Sequence, residues 1–154
     1  MTTPLPDLLD ALADVMLAAV APANVGEREV QVTGRRNFNP TPPSIDIYPG
    51  DPFRDTTDGT TGFQEVGGAL LLTVRARVGT ADNLAAQDLL LRFMDDEDDI
   101  SVAATLMEDQ TLGGLASSVH VDGNSGYLTY IDPGQEGAAL LGCEWRVRVL
   151  RVLS

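Results

Sequence analysis

The alternation of apolar and polar residues predicts one strand and helix unit in the middle of the chain. Over 66–78, apolar side chains alternate with polar ones that include Arg75 and Arg77, which is the spacing of a strand with one buried face. Thr80 is a suitable N-cap for a helix over 81–94, where neither Gly nor Pro interrupts the helical spacing. We expect this strand and helix to form the centre of the fold.

The same two periodicities predict the remaining elements. An apolar stripe opposite acidic residues predicts an amphipathic helix up to Val20, and Ser101 is placed to cap a short helix that ends near Glu108. The other predicted strands are 27–33, 44–48 (ended by Pro49–Pro52), 119–121 and 127–131 (joined by a turn at Gly123–Gly126), and 139–150. Together they predict an α+β fold with a mainly antiparallel sheet of about five strands, two main helices on one face and a short third helix.

The apolar faces of these elements define a predicted hydrophobic core. A chain of 154 residues fits one domain, 1–154, and at this size folding buries about 70% of the surface of the unfolded chain. The predicted core residues are Leu9, Leu12, Met16, Val30, Val32, Ile45, Ile47, Leu72, Val74, Leu89, Leu90, Phe93, Leu106, Val121, Trp145, Val147 and Val149.

Composition excludes several classes of protein. No apolar run reaches the ~20 residues that span a bilayer, and no basic segment precedes an apolar one at the N-terminus, so we expect no membrane association and no signal peptide. The single cysteine, Cys143, excludes an intramolecular disulfide and any site with several cysteine ligands. The net charge of −13, from 23 acidic residues and 10 basic ones that are all arginine, disfavours nucleic-acid binding.

A search for catalytic motifs finds little. His120 is the only histidine, so a site with two histidine ligands is excluded, and no nucleophile-elbow motif presents Ser117 or Ser118 to His120 and Asp122. Cys143 alternates with apolar residues, which favours a buried thiol, and no phosphate-binding glycine motif occurs. We therefore predict a protein that is not an enzyme and has no catalytic residues, cofactor or metal.

Two charged clusters are candidates for a channel lining or a contact between subunits. The acidic run Asp95, Asp96, Glu97, Asp98 and Asp99 lacks the Gly and Glu of a calcium-binding loop, so it is either a solvated helix end or a surface aimed at a neighbour or a channel.

The second cluster is arginine-rich. Arg75 and Arg77 on one strand, with Arg146 and Arg148 on another, gather on one sheet face if these strands are neighbours. They then either pair with acids such as Glu27, Glu29 or Glu144, or meet the acidic surface of another copy, which would favour a ring or stack of subunits.

The long polar segment 51–65 is predicted to be a loop that contacts a partner, because connections of this length in compact domains are usually functional or disordered until bound. The residues expected to make this contact are Asp51, Phe53, Arg54, Asp55, Asp58 and Phe63.

The order and spacing of several segments resemble the tail terminator proteins of long-tailed, non-contractile phages with GC-rich hosts. The segments that carry the resemblance are Leu71, Thr73, Val74 and Arg75, then Ala85 and Gln87–Leu90, then Ser101, Val102, Asp109 and Thr111–Gly114, and finally Gly142–Val147.

The resemblance implies a structural virion protein at the junction of tail and neck, made in the host cytoplasm. It implies a ring of copies, usually six, that caps the tube of major tail protein, ends its polymerisation and offers a docking surface to the neck connector. Genomic DNA would pass through the ring without specific binding. Two alternatives stay open: a head-tail connector or stopper ring of the neck, and a small ligand-binding or hydrolytic α+β protein.

Overall fold

A computed structural model describes residues 3–21, 29–38, 40–54, 69–80, 82–131 and 139–151. These form three α-helices and a six-stranded, mostly antiparallel sheet, which confirms the predicted α+β class. In chain order the elements are α1 (Leu5–Val20), β1 (Gln31–Thr33), β2 (Ser44–Arg54), β3 (Leu70–Thr80), α2 (Leu84–Met94), α3 (Val102–Glu108), a 3-10 turn (Leu112–Gly114), β4 (Ala116–Asn124), β5 (Leu128–Ile131) and β6 (Ala139–Arg151).

The sheet has the order β1-β2-β3-β6-β4, with β5 also paired to β6. Only β1 and β2 are parallel. The helices contact the same face of the sheet, α1 against β1 and β2, α2 against β3 and β6, and α3 against β4. We call the opposite face of the sheet the outer face.

The apolar residues of the sheet meet the helices in one core. Trp145 faces Val74 across the β3–β6 pair and is 2% exposed. All of the predicted core residues are buried except Val32 and Leu89, which are partly buried and pack against the core. The alternation along β3 and β6 was therefore sufficient to identify which face meets the helices.

The predicted hairpin through Gly123–Gly126 is wrong. β4 and β5 run in the same direction along the same edge of β6, as one edge strand with an interruption. The register shifts between Val121 and Gly123, and Ser125 then donates its N–H to the carbonyl of Glu144 at 2.8 Å. The chain thus bulges at these residues and continues along β6, since a bulge uses the same glycine-rich chemistry as a turn.

The start of α2 also differs from the prediction. β3 continues to Thr80, and the N-cap is Asn83, whose side chain accepts the N–H groups of Ala85 and Ala86 at 2.9 and 3.2 Å. Gly79 allows the close approach of α2, because a Cβ at this position would lie 3.2 Å from the Cβ of Ala86.

The sequence predicts that Pro49–Pro52 end the strand that begins at Ser44. In the structure, β2 continues through both prolines. β1 pairs only with Ser44–Asp46, so the later part of β2 has no hydrogen-bonded neighbour on that side among the described residues. On the other side, the pairing with β3 is regular up to Pro49 and shifts register between Pro49 and Arg54, so Pro52 lies where the ladder is already interrupted. Consequently, β2 extends to Arg54.

This extension corrects part of the predicted contact loop. Asp51, Phe53 and Arg54 belong to β2, and Phe53 packs against the hydrophobic core. Asp51 is exposed. The other predicted contact residues, Asp55, Asp58 and Phe63, lie outside the described residues. Of the predicted strand 27–33, residues 27 and 28 also lie outside them, Glu29 and Val30 are not in a strand, and β1 is limited to Gln31–Thr33.

Candidate functional site

The outer face of the sheet carries polar side chains in rows across three strands. Asp46 of β2 lies beside Arg75 of β3, which lies beside Glu144 of β6. The next rows place Ser44 beside Arg77, and Thr73 beside Arg146. The arginines of β3 and β6 therefore do share one face, as expected if these strands are neighbours.

Asp46 is the centre of a buried ion-pair network. Its side chain is fully buried, and Arg75 contacts both of its carboxylate oxygens, with Nη2 at 2.6 Å and Nε at 3.2 Å. Arg77 Nη2 lies 3.5 Å from the same carboxylate. The side chains of Arg75 and Arg77 are 8% and 7% exposed. These two predicted contact residues are thus buried within their own chain and pair with Asp46 rather than with Glu29 or Glu144, while Glu27 lies outside the described residues.

The network holds the segment 36–38 against the outer face. The backbone N–H of Asn37 donates to Asp46 at 3.0 Å, and the carbonyl of Asn37 accepts from Arg77 at 2.7 Å and from Arg75 at 3.3 Å. Charge-assisted hydrogen bonds are stronger than those between neutral groups, so the backbone N–H and the carbonyl of Asn37 are both held in place. The next residue in the chain, Phe38, follows this fixed backbone, and its side chain is 76% exposed.

Two tyrosines enclose the network. The guanidinium of Arg75 lies 5.1 Å from the ring centre of Tyr48 and 5.6 Å from that of Tyr130. The hydroxyl of Tyr130 donates to Glu144 at 2.6 Å. Burial, followed by the hydrogen bond to Glu144, raises the pKa of Tyr130, and burial raises the pKa of Tyr48.

The arginines respond differently to the same surroundings. Burial acts to lower the pKa of Arg75, but the hydrogen bond and charge of Asp46 outweigh it and raise that pKa. For Arg77 burial dominates and the pKa is lowered. The Nε of Arg77 and the hydroxyl of its cross-strand neighbour Ser44 are buried without a hydrogen-bond partner.

A pocket of about 630 Å³ opens on the outer face beside this network. Arg36 and Arg146 are exposed guanidinium groups in its lining, and Arg36 lies 5.2 Å from the ring centre of Phe38 and 5.3 Å from that of Tyr48. The full lining is Arg36, Tyr48–Asp51, Thr73, Asp122–Ser125 and Glu144–Arg146. Arg146 and Arg148, the other two predicted contact arginines, are exposed.

Two of the pocket's acids have partners within the chain. Asp122 lies 3.5 Å from His120 Nε2 and 3.7 Å from Arg148 Nε, and Glu144 accepts the hydroxyl of Tyr130. His120 is 61% exposed and Ser117 donates its hydroxyl to a backbone carbonyl. The arrangement therefore places no serine in hydrogen-bond contact with His120 among the described residues.

The acidic run lies on the helical side of the sheet, in the turn between α2 and α3. Arg92 donates to both oxygens of Asp98 at 3.0 and 3.2 Å, and this bond, followed by the Ile100 N–H, lowers the pKa of Asp98. Arg92 therefore pairs with Asp98 across the turn that follows α2.

The other four acids of the run, Asp95, Asp96, Glu97 and Asp99, are exposed. Asp96 lies close to Gly123 and Asn124, which also line the pocket on the outer face. Within the described parts of the chain, no three His, Cys, Asp or Glu side chains are arranged to hold a metal ion.

Cys143 is buried, and burial raises the pKa of its thiol. A thiol with a raised pKa is a weak nucleophile at neutral pH, as expected from its place on the apolar face of β6. None of the helices described is both long and apolar enough to cross a membrane.

No protein-family model matches the chain, and a search of curated proteins finds no significant match. The sequence pattern predicts Arg146 and Arg148 on this face. It does not predict the roles of Asp46, Tyr48 and Tyr130, or the hydrogen bonds that hold the backbone next to Phe38. The only indication of Asp46 in the sequence is its position between Ile45 and Ile47, where a charged residue separates two apolar ones.

Proposed function

We propose that this chain is a phage tail terminator, a structural virion protein that forms a ring at the end of the tail tube. The ring, hexameric in the family that the sequence resembles, ends polymerisation of the major tail protein and offers a docking surface to the neck. Its partners are other copies of itself, the tube protein and a neck connector. It acts without catalysis and without a cofactor.

The network around Asp46 is the observation that carries this proposal. A buried polar network in which the charged groups bind one another fixes a surface in one shape, and here it supports an exposed aromatic residue, Phe38. Exposed, rigid aromatic residues and arginines are typical anchors of protein contacts.

The charge of the chain supports the passage of DNA through such a ring. Each copy carries a net charge of −13, and the field of exposed carboxylates extends about 8 Å at physiological salt. A bore lined by these groups repels the phosphate backbone and keeps it from adhering to the wall. The exposed acids Asp95, Asp96, Glu97 and Asp99 are candidates for the lining or for its edge.

Tube length is the decisive measurement. Tails are assembled from the tube protein of the same genome with and without this chain, and electron microscopy is used to measure tube lengths and to look for a ring at one tube end. We expect tubes of defined length with a terminal ring when the chain is present, and overgrown tubes in its absence.

Two outcomes would favour the alternatives. Unchanged tube lengths together with binding to the head-side neck complex would identify a connector or stopper ring. A monomer that leaves tubes unchanged and binds a small molecule near His120 and the outer-face pocket would favour a ligand-binding or hydrolytic protein.

A further inference from the structure

We propose that the exposed face of α2 in one copy docks in the outer-face pocket of the next copy, so that the copies associate head to tail. This inference rests on the proposed ring and identifies the two surfaces that build it. It assigns one occupant to the pocket, a second copy of this chain.

One partner surface is a stripe on α2. Leu84, Asp88 and Leu91 follow one another at intervals of four and three residues, so they lie on the same side of the helix axis, and Asp95 is the C-cap of the helix four residues further on. Leu84 is 75% exposed and Leu91 is 50% exposed. The other side of the same helix faces the core, where Ala86, Leu90 and Phe93 are buried. The stripe is thus apolar and acidic, and it faces away from its own chain.

The other surface combines an exposed aromatic ring with two arginines; of the three acids in its lining, Asp122 and Glu144 have partners within the chain and Asp51 is exposed. Phe38 is exposed at the edge of the pocket, in contact with Arg36, while Arg146 stands in the pocket lining. Neither guanidinium forms an ion pair with any residue in the described ranges. Apolar side chains such as Leu84 and Leu91 complement Phe38, and the carboxylates of Asp88 and Asp95 complement Arg36 and Arg146.

The positions of the two surfaces determine the symmetry. The stripe lies on the helical side of the sheet and the pocket lies on the outer face, so one copy uses each surface once. A two-fold dimer would have to form both stripe-to-pocket contacts at one interface, and surfaces on opposite sides of the sheet cannot both face the same partner. A head-to-tail contact uses each surface with a different neighbour and closes into a ring when its rotation allows.

The backbone beside the pocket is already ordered before docking. Arg75 and Arg77 fix the peptide at Asn37 between Arg36 and Phe38, so docking requires little ordering of this segment. Binding surfaces that are ordered in advance lose less conformational entropy on association.

Pairs of engineered cysteines test the contact directly, because the natural Cys143 is buried. Phe38→Cys protein is mixed with Leu91→Cys protein at physiological salt under mild oxidation, in the presence and absence of tail tubes. The matched control partner is Leu17→Cys, a leucine on α1 with a similar exposure of 44%. We expect the Leu91→Cys mixture to cross-link at least tenfold faster than the control mixture.

Self-pairing distinguishes the symmetries. Each single variant alone is expected to give no disulfide dimer, while a chain that carries both Phe38→Cys and Leu91→Cys gives a ladder of oligomers ending in a closed ring. Fast dimerisation of Phe38→Cys alone would show a two-fold contact and overturn the proposal. Equal rates for the Leu91→Cys and Leu17→Cys mixtures, with and without tubes, would also overturn it.

The outcome for this contact can be separated from that for tail termination. If wild-type protein limits tube length but these cysteines do not pair, the function stands and the docking surfaces are wrong. If the cysteines pair and tubes are unaffected, the contact stands and tail termination is wrong.

A charge reversal tests the role of Arg36 in the contact. Arg36→Glu should slow cross-linking between the two cysteine partners several-fold. Arg35→Glu, whose wild-type side chain pairs with Asp10 of α1, should not.

Discussion

Replacing Asp46 with alanine would remove the only carboxylate that the structure shows bound to both buried arginines, Arg75 and Arg77. Because the Asp46 side chain is fully buried and the arginine side chains are 8% and 7% exposed, little solvent is available to replace the lost partner. Breaking a buried ion pair by removing one partner costs about 3–5 kcal/mol, since an uncompensated charge remains. The domain has a total stability of roughly 5–15 kcal/mol, so this loss is a large part of it.

Urea unfolding followed by tryptophan fluorescence measures this loss, because Trp145 is the only tryptophan and is 2% exposed. With an m-value of about 2 kcal/mol/M, the expected change shifts the unfolding midpoint by roughly 2 M. The control is Asp10→Ala, which removes an exposed ion pair with Arg35 and should cost less than about 1 kcal/mol. Equal small effects of Asp46→Ala and Asp10→Ala would refute the view that the network holds the outer face together.

Three further changes test other parts of the fold. Gly142→Ala should destabilise the protein by at least about 1–3 kcal/mol, because its Cβ would collide with the carbonyl of Ala76 and lie 2.7 Å from the ring of Tyr130; urea unfolding measures this, and a wild-type midpoint would contradict the packing. Asn83→Ala should cost about 1 kcal/mol by removing the helix cap, while Asn83→Gly should cost only a few tenths; equal losses would show that the side-chain cap is not the cause. Because the folded-state pKa of Tyr130 is raised above the reference value of 10.0, its contribution to stability is complete below that pH and is lost as the pH rises further; unfolding measured from pH 8 to 11 should show a shallower decline in Tyr130→Phe, and parallel curves would contradict this.

The sequence was most informative where one face of an element is buried against the core. The alternation in β6 around Trp145 and the stripe on α1 that includes Leu12 both identified the buried side correctly. Burial of apolar surface dominates the energetics of these elements, and its period is visible in a single chain.

The sequence was less informative where pairing between distant segments decides the structure. A polar position on a strand predicts exposure, yet Arg75 and Arg77 are buried because Asp46, about 30 residues earlier in the sequence, lies beside them in the β2–β3 register. Periodicity gives the face of a strand but neither its neighbour nor its register. The buried network was therefore not predictable from local pattern.

Glycine and proline gave ambiguous signals for a related reason. The glycine-rich segment 123–126 has the composition of a hairpin turn, but β6 is 13 residues long and pairs with both β4 and β5 along one edge. Likewise, Pro49 and Pro52 interrupt a strand only where their missing N–H groups are needed for pairing. In both cases the neighbouring strand determined the outcome.

The net charge determines the conditions under which copies of this chain meet. Two bodies of charge −13 whose centres are roughly 35 Å apart repel by about 20 kcal/mol in water without salt. Screening reduces this to roughly 6 kcal/mol at 0.01 M salt, where the Debye length is about 30 Å, and to about 0.3 kcal/mol at 0.15 M, where it is about 8 Å. An ion pair such as Arg146 with an acid of the next copy contributes up to about 1 kcal/mol and depends less on salt, since its groups are in contact. Association through the α2 stripe and the outer-face pocket therefore requires physiological salt, because only then does local complementarity exceed the repulsion between whole subunits.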